Sequence, residues 1–413
     1  MSPDHPPFLD TVIPSDGNPS PDIPRSLLSA KYPRAIGAWV AEMAYGVARP
    51  IHSALTRELN VETLGYNDPI SIGLARESIV RWMDRAYGWH VRSESIGFVS
   101  DIVTGFGAVL RHYLAPASTV IVPTPAYAPL LTVPILFGHR VVEVPSLVDS
   151  NGYHMDMAGI DRALSQGGRM VVLCNPHNPT GRIFTAEELG QLARLVDSHG
   201  ARVFSDEVHA PLTLVETPHL PYANLSETAA SHAITATSAS KGWNISGLKC
   251  AQLIFSASED MATWQRVADF YIRSVSRLGV SALRAAYDDP ASHAWLSAVR
   301  EQLTRNNALV AKTIAEHIPG MVSFPSEATY LAWLDCRQLG LVDPAAFFRE
   351  RVGLAMSEGS EFSAPGHIRL NFALPERLLR NALSALVAGA DILQSGQSVL
   401  RTGHAPEITM GKR

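Results

Sequence analysis

The run AITATSAS, small and β-branched, leads straight into Lys241, an unusual place for a charged side chain. An amine there is either solvated or a desolvated nucleophile. Desolvation beside other charges lowers a lysine's pKa and suits it to covalent chemistry on a carbonyl compound. Asp206 raises a similar question. It closes the apolar run ARVFS, where a carboxylate needs a partner to offset its desolvation. It reads either as a helix cap or as the counter-charge of a ligand cation, with His209 nearby to hold the site's hydrogen bonds. Asn178 lies in CNPHNPTGRIF, whose two Asn-Pro pairs and glycine make a stiff turn after a buried strand. That turn is either a capped loop or a mount that aims an amide at a ligand oxygen. Arg369, in HIRLNFAL, is either a structural ion pair or a two-pronged clamp for a substrate carboxylate.

A second group could hold an anion. VSDIVTGFGAVLRHYL ends a strand and opens a helix, so the backbone N–H groups of Ile102 and Val103 are free to face a negative charge. Gly105 and Gly107 in the same stretch could equally serve close packing. Ser238 and Ser240 can donate to phosphate oxygens, and Lys249 can add a point positive charge.

Such groups need a scaffold that collects strand ends. TVIVPTP, RVVEVP, RMVVLCNP, ARVFSDE, AITATSASK and AQLIFS read as buried strands. TAEELGQLARLVDSHG reads as a helix with a Thr cap, an acidic first turn and a closing glycine. This alternation predicts an α/β fold, a mostly parallel sheet covered by helices on both faces, with ligands beyond the carboxyl ends of the strands. From about Pro290 the pattern changes to one long helix (WLSAVREQLTRNNALVAKTIAEHI), strand TYLAWLD, a helix near AAFFRERVG, strand HIRLNFAL and a last helix ERLLRNALSALVAGADIL. That is a smaller α+β unit. The expected organisation is an N-terminal arm and part of the small unit over 1–50, a large domain over 51–288, a small domain over 289–395 and a disordered tail over 396–413.

Composition narrows the partners. The chain has 413 residues, 46% hydrophobic and 18% charged, with a formal net charge of -5. That argues against general nucleic-acid or membrane-surface binding. The N-terminus lacks a secretory pattern, and the apolar segment Ala126–Gly138 is broken by Pro129 and Pro134. Three cysteines, Cys174, Cys250 and Cys336, without motif spacing fit reduced thiols and a cytoplasmic protein. No metal site is expected.

The ordered set NPHNPTG, SDE, SASK, GLK and HIRLNFA resembles the fold-type I pyridoxal-phosphate enzymes, the aspartate aminotransferase superfamily, over roughly residues 35 to 390. Within it the chain looks most like the MalY/PatB-type cystathionine β-lyases, through WVAEM, GYND, PTPAYAP, LCNPHNPTGRIFTAEEL, SDEVHA and SKGWNISGLKC. Lys249, where most aminotransferases carry arginine, points the same way. The resemblance implies a large domain with a seven-stranded sheet, a smaller α+β domain, pyridoxal 5'-phosphate as cofactor and a homodimer with shared sites. It implies that Lys241 holds the cofactor and moves the Cα proton, and that Asp206 pairs with the ring nitrogen. Asn178 and His209 would serve the ring oxygen and Tyr127 would stack on the ring. Ile102, Val103, Ser238, Ser240 and Lys249 would hold the phosphate, with Tyr66 reaching the neighbouring subunit's. Arg369, Trp39 and Asn178 would bind the amino-acid substrate.

The implied reaction is β-elimination on cystathionine or another L-cysteine S-conjugate. Transamination, decarboxylation with oxidative deamination, and a regulator that binds a transcription factor are the alternatives. Two departures stand out. SDIV carries Asp101 where the lyase group usually has glycine, which puts negative charge near the phosphate unless the side chain turns to cap the helix. EGSEFSAPG (358–366) lacks the group's usual Pro-Gly and Phe-Gly steps and is expected near the substrate mouth.

Overall fold

Runs such as VIVPT and MVVLC offer no polar face, so they are stable as strands only where both faces are covered. The computed structural model, which describes residues 36–61 and 64–402 apart from the side chains of 396–402, places them so. The main sheet has seven strands: β1 (Ile96–Val99), β2 (Thr119–Thr124), β3 (Arg140–Pro145), β4 (Gly168–Cys174), β5 (Arg202–Asp206), β6 (Ala233–Thr237) and β7 (Ala251–Phe255). Their spatial order is β1-β7-β6-β5-β4-β2-β3, with β7 antiparallel to both neighbours and the other pairings parallel. RVVEVP departs from its expected burial. As β3 it is one of the two edge strands, and only Val144 is buried. Position at the sheet edge leaves one flank without a neighbour, which composition does not reveal.

This order has a direct consequence for the site. β1, β2, β4, β5 and β6 all end on one edge of the sheet, and β7 starts there because it runs the opposite way. One edge therefore receives Asp101 after β1, Tyr127 after β2, Asn178 after β4, Asp206 at the end of β5, Lys241 after β6 and Lys249 before β7.

Helix α1 (Ile102–Tyr113) follows β1, and α2 (Ala186–Ser198) follows the Asn-Pro turn. The α2 cap is the expected one: Thr185 Oγ1 accepts from the Glu188 amide at 3.2 Å and Glu188 Oε2 accepts from the Thr185 amide at 2.8 Å. Then come α3 (Arg277–Asp288) and the long α4 (Pro290–His317), whose N-cap Asp289 accepts from the Ala291 amide at 2.8 Å.

A second sheet is antiparallel, with β8 (Val322–Ser323), β9 (Leu331–Asp335), β10 (Ser357–Glu358) and β11 (His367–Asn371) in the order β8-β9-β11-β10. Helix α5 (Pro344–Val352) packs with it, and α6 (Glu376–Thr402) packs on α5 and α4. Helix α6 continues past residue 395, through the start of the expected tail. The arm expected over the first residues and the tail beyond Thr402 lie outside the described residues. Ile36–Gly37 pairs with Leu354–Ala355 in a separate two-stranded sheet, which ties the start of the described chain to the segment just ahead of β10. Among the described residues no helix is long and apolar enough to cross a membrane.

Candidate active site

A cavity of about 670 Å³ opens between the carboxyl edge of the main sheet and the second sheet. Twelve of the residues named from sequence line it: Trp39, Ile102, Val103, Tyr127, Asn178, Asp206, His209, Ser238, Ser240, Lys241, Lys249 and Arg369. Tyr66 does not. It is 84% exposed and sits with Asn67 and Arg273 in a separate recess.

The turn that carries Lys241 is pinned two residues later. Trp243 is fully buried between Trp82 and Tyr287, and its indole N–H donates to the Ser292 carbonyl at 3.1 Å. Burying such a ring contributes about 3 kcal/mol, which fixes where the preceding residues point. Lys241 Nζ donates to the Ala41 carbonyl at 2.8 Å, and Tyr330 Oη donates to the same oxygen at 2.7 Å. Ala41 belongs to a strip, 38–45, stitched to both sheets. The Asn244 side chain holds Met43 by both its amide and its carbonyl, and the Asn371 side chain donates to Val40 O.

Asp206 is 4% exposed, and its carboxylate accepts from the Val208 amide at 3.2 Å. Burial pushes its pKa up from 3.8 to about 6; the Val208 amide and the Lys241 charge lower it and Glu207 adds to it. A carboxylate so poorly supplied with donors favours a cationic N–H beside it. His209 is held neutral, well below the usual imidazole range, by burial and by the Lys241 and Arg369 charges; its Nδ1 has no partner among the described residues. Tyr127, raised by burial and by Asp206, precedes the helix Ala128–Leu136.

Arg369 lies across the cavity on β11. It is 5% exposed, and the groups that accept from it are neutral. Its guanidinium donates to Asn178 Oδ1 at 2.9 Å, Trp39 O at 2.7 Å and Ser357 Oγ at 3.2 Å, and it lies 4.7 Å from the centre of the Phe362 ring. Nε is buried without an acceptor, and burial lowers its pKa to about 10. A buried guanidinium with neutral partners is a site for an anion. The Asn178 Oδ1 bond to Arg369 leaves its amide N–H groups as donors. Trp39 brings a further buried N–H without a partner to the same wall.

The end of the cavity expected to hold an anion lies at α1. The Ile102 and Val103 amides begin that helix and so have no intrahelical acceptor. Asp101 does turn to cap it: Oδ1 accepts from the Thr104 amide at 2.8 Å. It also does something the sequence did not suggest, pairing through Oδ2 with Lys249 Nζ at 3.0 Å. Ser238 Oγ donates to the Cys250 carbonyl at 2.8 Å and accepts from the Ser240 amide at 3.1 Å, which leaves Ser240 as the serine with an uncommitted hydroxyl.

The stretch 358–366 does reach the mouth. Glu358 and Glu361 line the cavity with Asp343 and Arg349, and Phe362 backs Arg369. Sequence reading missed Ala41, Ser357, Tyr330 and Phe362. Ala41 acts through its backbone and leaves no side-chain signal. Asn244, also missed, had one, because it takes a left-handed φ of 58° and asparagine tolerates that better than most residues.

Residues 42–386 match the family described as aminotransferase class I and II. The chain is 31% identical to the cystathionine beta-lyase of Corynebacterium glutamicum, covering 88% of this chain and 96% of that protein. The cystathionine beta-lyase PatB of Bacillus subtilis is 28% identical over 86% and 92%. The solved structure of the pyridoxal-phosphate-bound C–S lyase of Staphylococcus hominis superposes with a TM-score of 0.85 at 26% identity, covering 92% of this chain and 97% of that one.

Proposed function

The chain belongs to the aminotransferase class I and II family, and from that premise we propose that it is a pyridoxal-phosphate-dependent carbon–sulfur lyase acting on L-cystathionine or another L-cysteine S-conjugate. The observation that carries this reading is one cavity with Lys241 and the donor-poor Asp206 on the main sheet and the unpaired guanidinium of Arg369 facing them. An α-amino acid has the matching amine and carboxylate, and the lyase relatives supply the choice of reaction.

The residues fit the cofactor. Among the described residues no cation hydrogen-bonds to Asp206, which leaves its carboxylate for the ring nitrogen. The amides of Ile102 and Val103, with Ser240, Ser238 and Lys249, suit a phosphate at a helix N-terminus. Asn178, supported by His209, has donors for the ring oxygen, and Tyr127 offers an aromatic face. When bound, pyridoxal phosphate supplies an electron sink for the charge left at the substrate Cα. Lys241 Nζ takes the Cα proton and is the group that returns a proton. Asp206 keeps the ring nitrogen protonated. Arg369, with the Trp39 N–H, holds the carboxylate so that the Cβ–S bond is oriented for cleavage. Each turnover consumes one water and releases a thiol, pyruvate and ammonium.

Purified protein incubated with L-cystathionine and no keto acid is expected to release pyruvate. An amino-acid product formed only after a keto acid is added would replace this reading by transamination. Arg369→Lys keeps the charge but loses the fork. It is expected to lower kcat/KM about 100-fold, mostly through KM, with cofactor absorbance unchanged, as steady-state kinetics and a visible spectrum would show.

The active form in this reading is a homodimer. Exposed Leu64, Tyr66, Ile70 and Leu74 give it an apolar face, and Tyr66 would complete the partner's phosphate site. Sedimentation equilibrium at twice the chain mass supports this; a monomer at assay concentration contradicts it. Three free cysteines fit a reducing compartment such as the cytoplasm.

A further inference from the structure

Lys249 has little freedom at its backbone. It takes a left-handed φ of 50°, its carbonyl accepts from the Ser276 amide at 3.0 Å, and Gly279 of α3 packs directly on the Leu248 carbonyl before it. Only its side chain can choose a partner, and two anions compete for it. One is the phosphate that the α1 amides and Ser240 are placed to receive. The other is Asp101, already at 3.0 Å and anchored on the Thr104 amide. The pair is roughly half exposed on the lysine side, so its contribution to folding is small. The capping bond does not need the charge either, because asparagine caps as well as aspartate.

We propose that Asp101 is an intrachain competitor for the cofactor phosphate. It engages the Lys249 ammonium and offsets the positive end of α1, and so weakens cofactor retention and makes occupancy follow cofactor supply. Phosphate binding and the Asp101–Lys249 pair draw on the same ammonium, so each weakens the other. The Asp101 carboxylate beside a phosphate dianion also adds direct repulsion.

This inference rests on the cofactor reading above. Its test uses full-length protein stripped of cofactor and titrated with pyridoxal phosphate, read by visible absorbance and tryptophan fluorescence. Asp101→Asn is expected to lower the Kd about tenfold and to make binding fall more steeply with salt. Asp101→Ser, which also keeps a capping oxygen, should shift it in the same direction. Lys249→Gln should raise the Kd, and Asp101→Asn placed on that background should change it less than about twofold, because most of the effect passes through the lysine. Unchanged or weaker binding by both Asp101 variants, with wild type still binding, overturns the competitor role alone. Failure of wild type to bind pyridoxal phosphate overturns the cofactor reading and this inference with it.

Discussion

Lys241→Ala is expected to fold, to show no absorbance at about 420 nm with pyridoxal phosphate, and to lose at least about 10,000-fold in kcat. In the proposed function the side chain has two tasks, holding the cofactor and moving the Cα proton, and alanine removes both. Lys249 does not substitute, because its ammonium is paired with Asp101 at 3.0 Å. Stability should change by less than about 1 kcal/mol. The Ala41 carbonyl, which accepts from Lys241, keeps its bond from Tyr330 Oη at 2.7 Å. A visible spectrum and a pyruvate assay on the same preparation check both parts; a retained band would defeat the Lys241 assignment.

Asp206→Asn is expected to lose about 1,000-fold in kcat/KM while the stripped protein becomes more stable. The activity loss follows because an amide cannot hold the ring nitrogen in its protonated form. The stability gain follows from linkage. A carboxyl whose pKa is raised on folding favours the folded chain below its unfolded value of 3.8. That contribution is lost as pH rises through about 6. The gap between 3.8 and about 6, at about 1.4 kcal/mol per pH unit, is worth about 3 kcal/mol. At pH 7 the ionised, buried Asp206 is therefore a liability that asparagine removes, and below pH 4 the two proteins should converge. Urea unfolding of stripped protein at pH 4 and pH 7.5 measures this directly. Equal stability at both pH values would mean that Asp206 is already neutralised by the chain itself.

Much of the site was legible because its residues interrupt patterns. Asp206 and Lys241 are charges at the ends of apolar strands, and Asn178 sits between two prolines, so each stands out against its neighbours. Strand order made these interruptions converge, and the alternation of strands and helices was enough to suggest it. Lys249 joined them only because β7 runs against its neighbours, a reversal that no local signal announces. The other side of the cavity was less readable. Arg369 was found, but Ser357 and Phe362, which hold it, come from a stretch without a motif. The Ala41 carbonyl works through backbone geometry that any residue could supply. Tyr66 was legible as a motif residue, yet a single chain leaves it outside the cavity, and its proposed role depends on a second copy. RVVEVP shows the converse: its residues suit a buried strand, and only its place at the sheet edge exposes it.

The central claim is that this cavity uses Lys241 and pyridoxal phosphate to break a Cβ–S bond. Rapid-scanning absorbance of the wild-type protein with a limited amount of L-cystathionine, no keto acid and a thiol reagent tests it in one cuvette. Elimination returns the cofactor unchanged, so the account requires many thiols per active site and full recovery of the band at about 420 nm once substrate is exhausted. A single conversion to the aminated cofactor, with loss of that band and no thiol released, would contradict it.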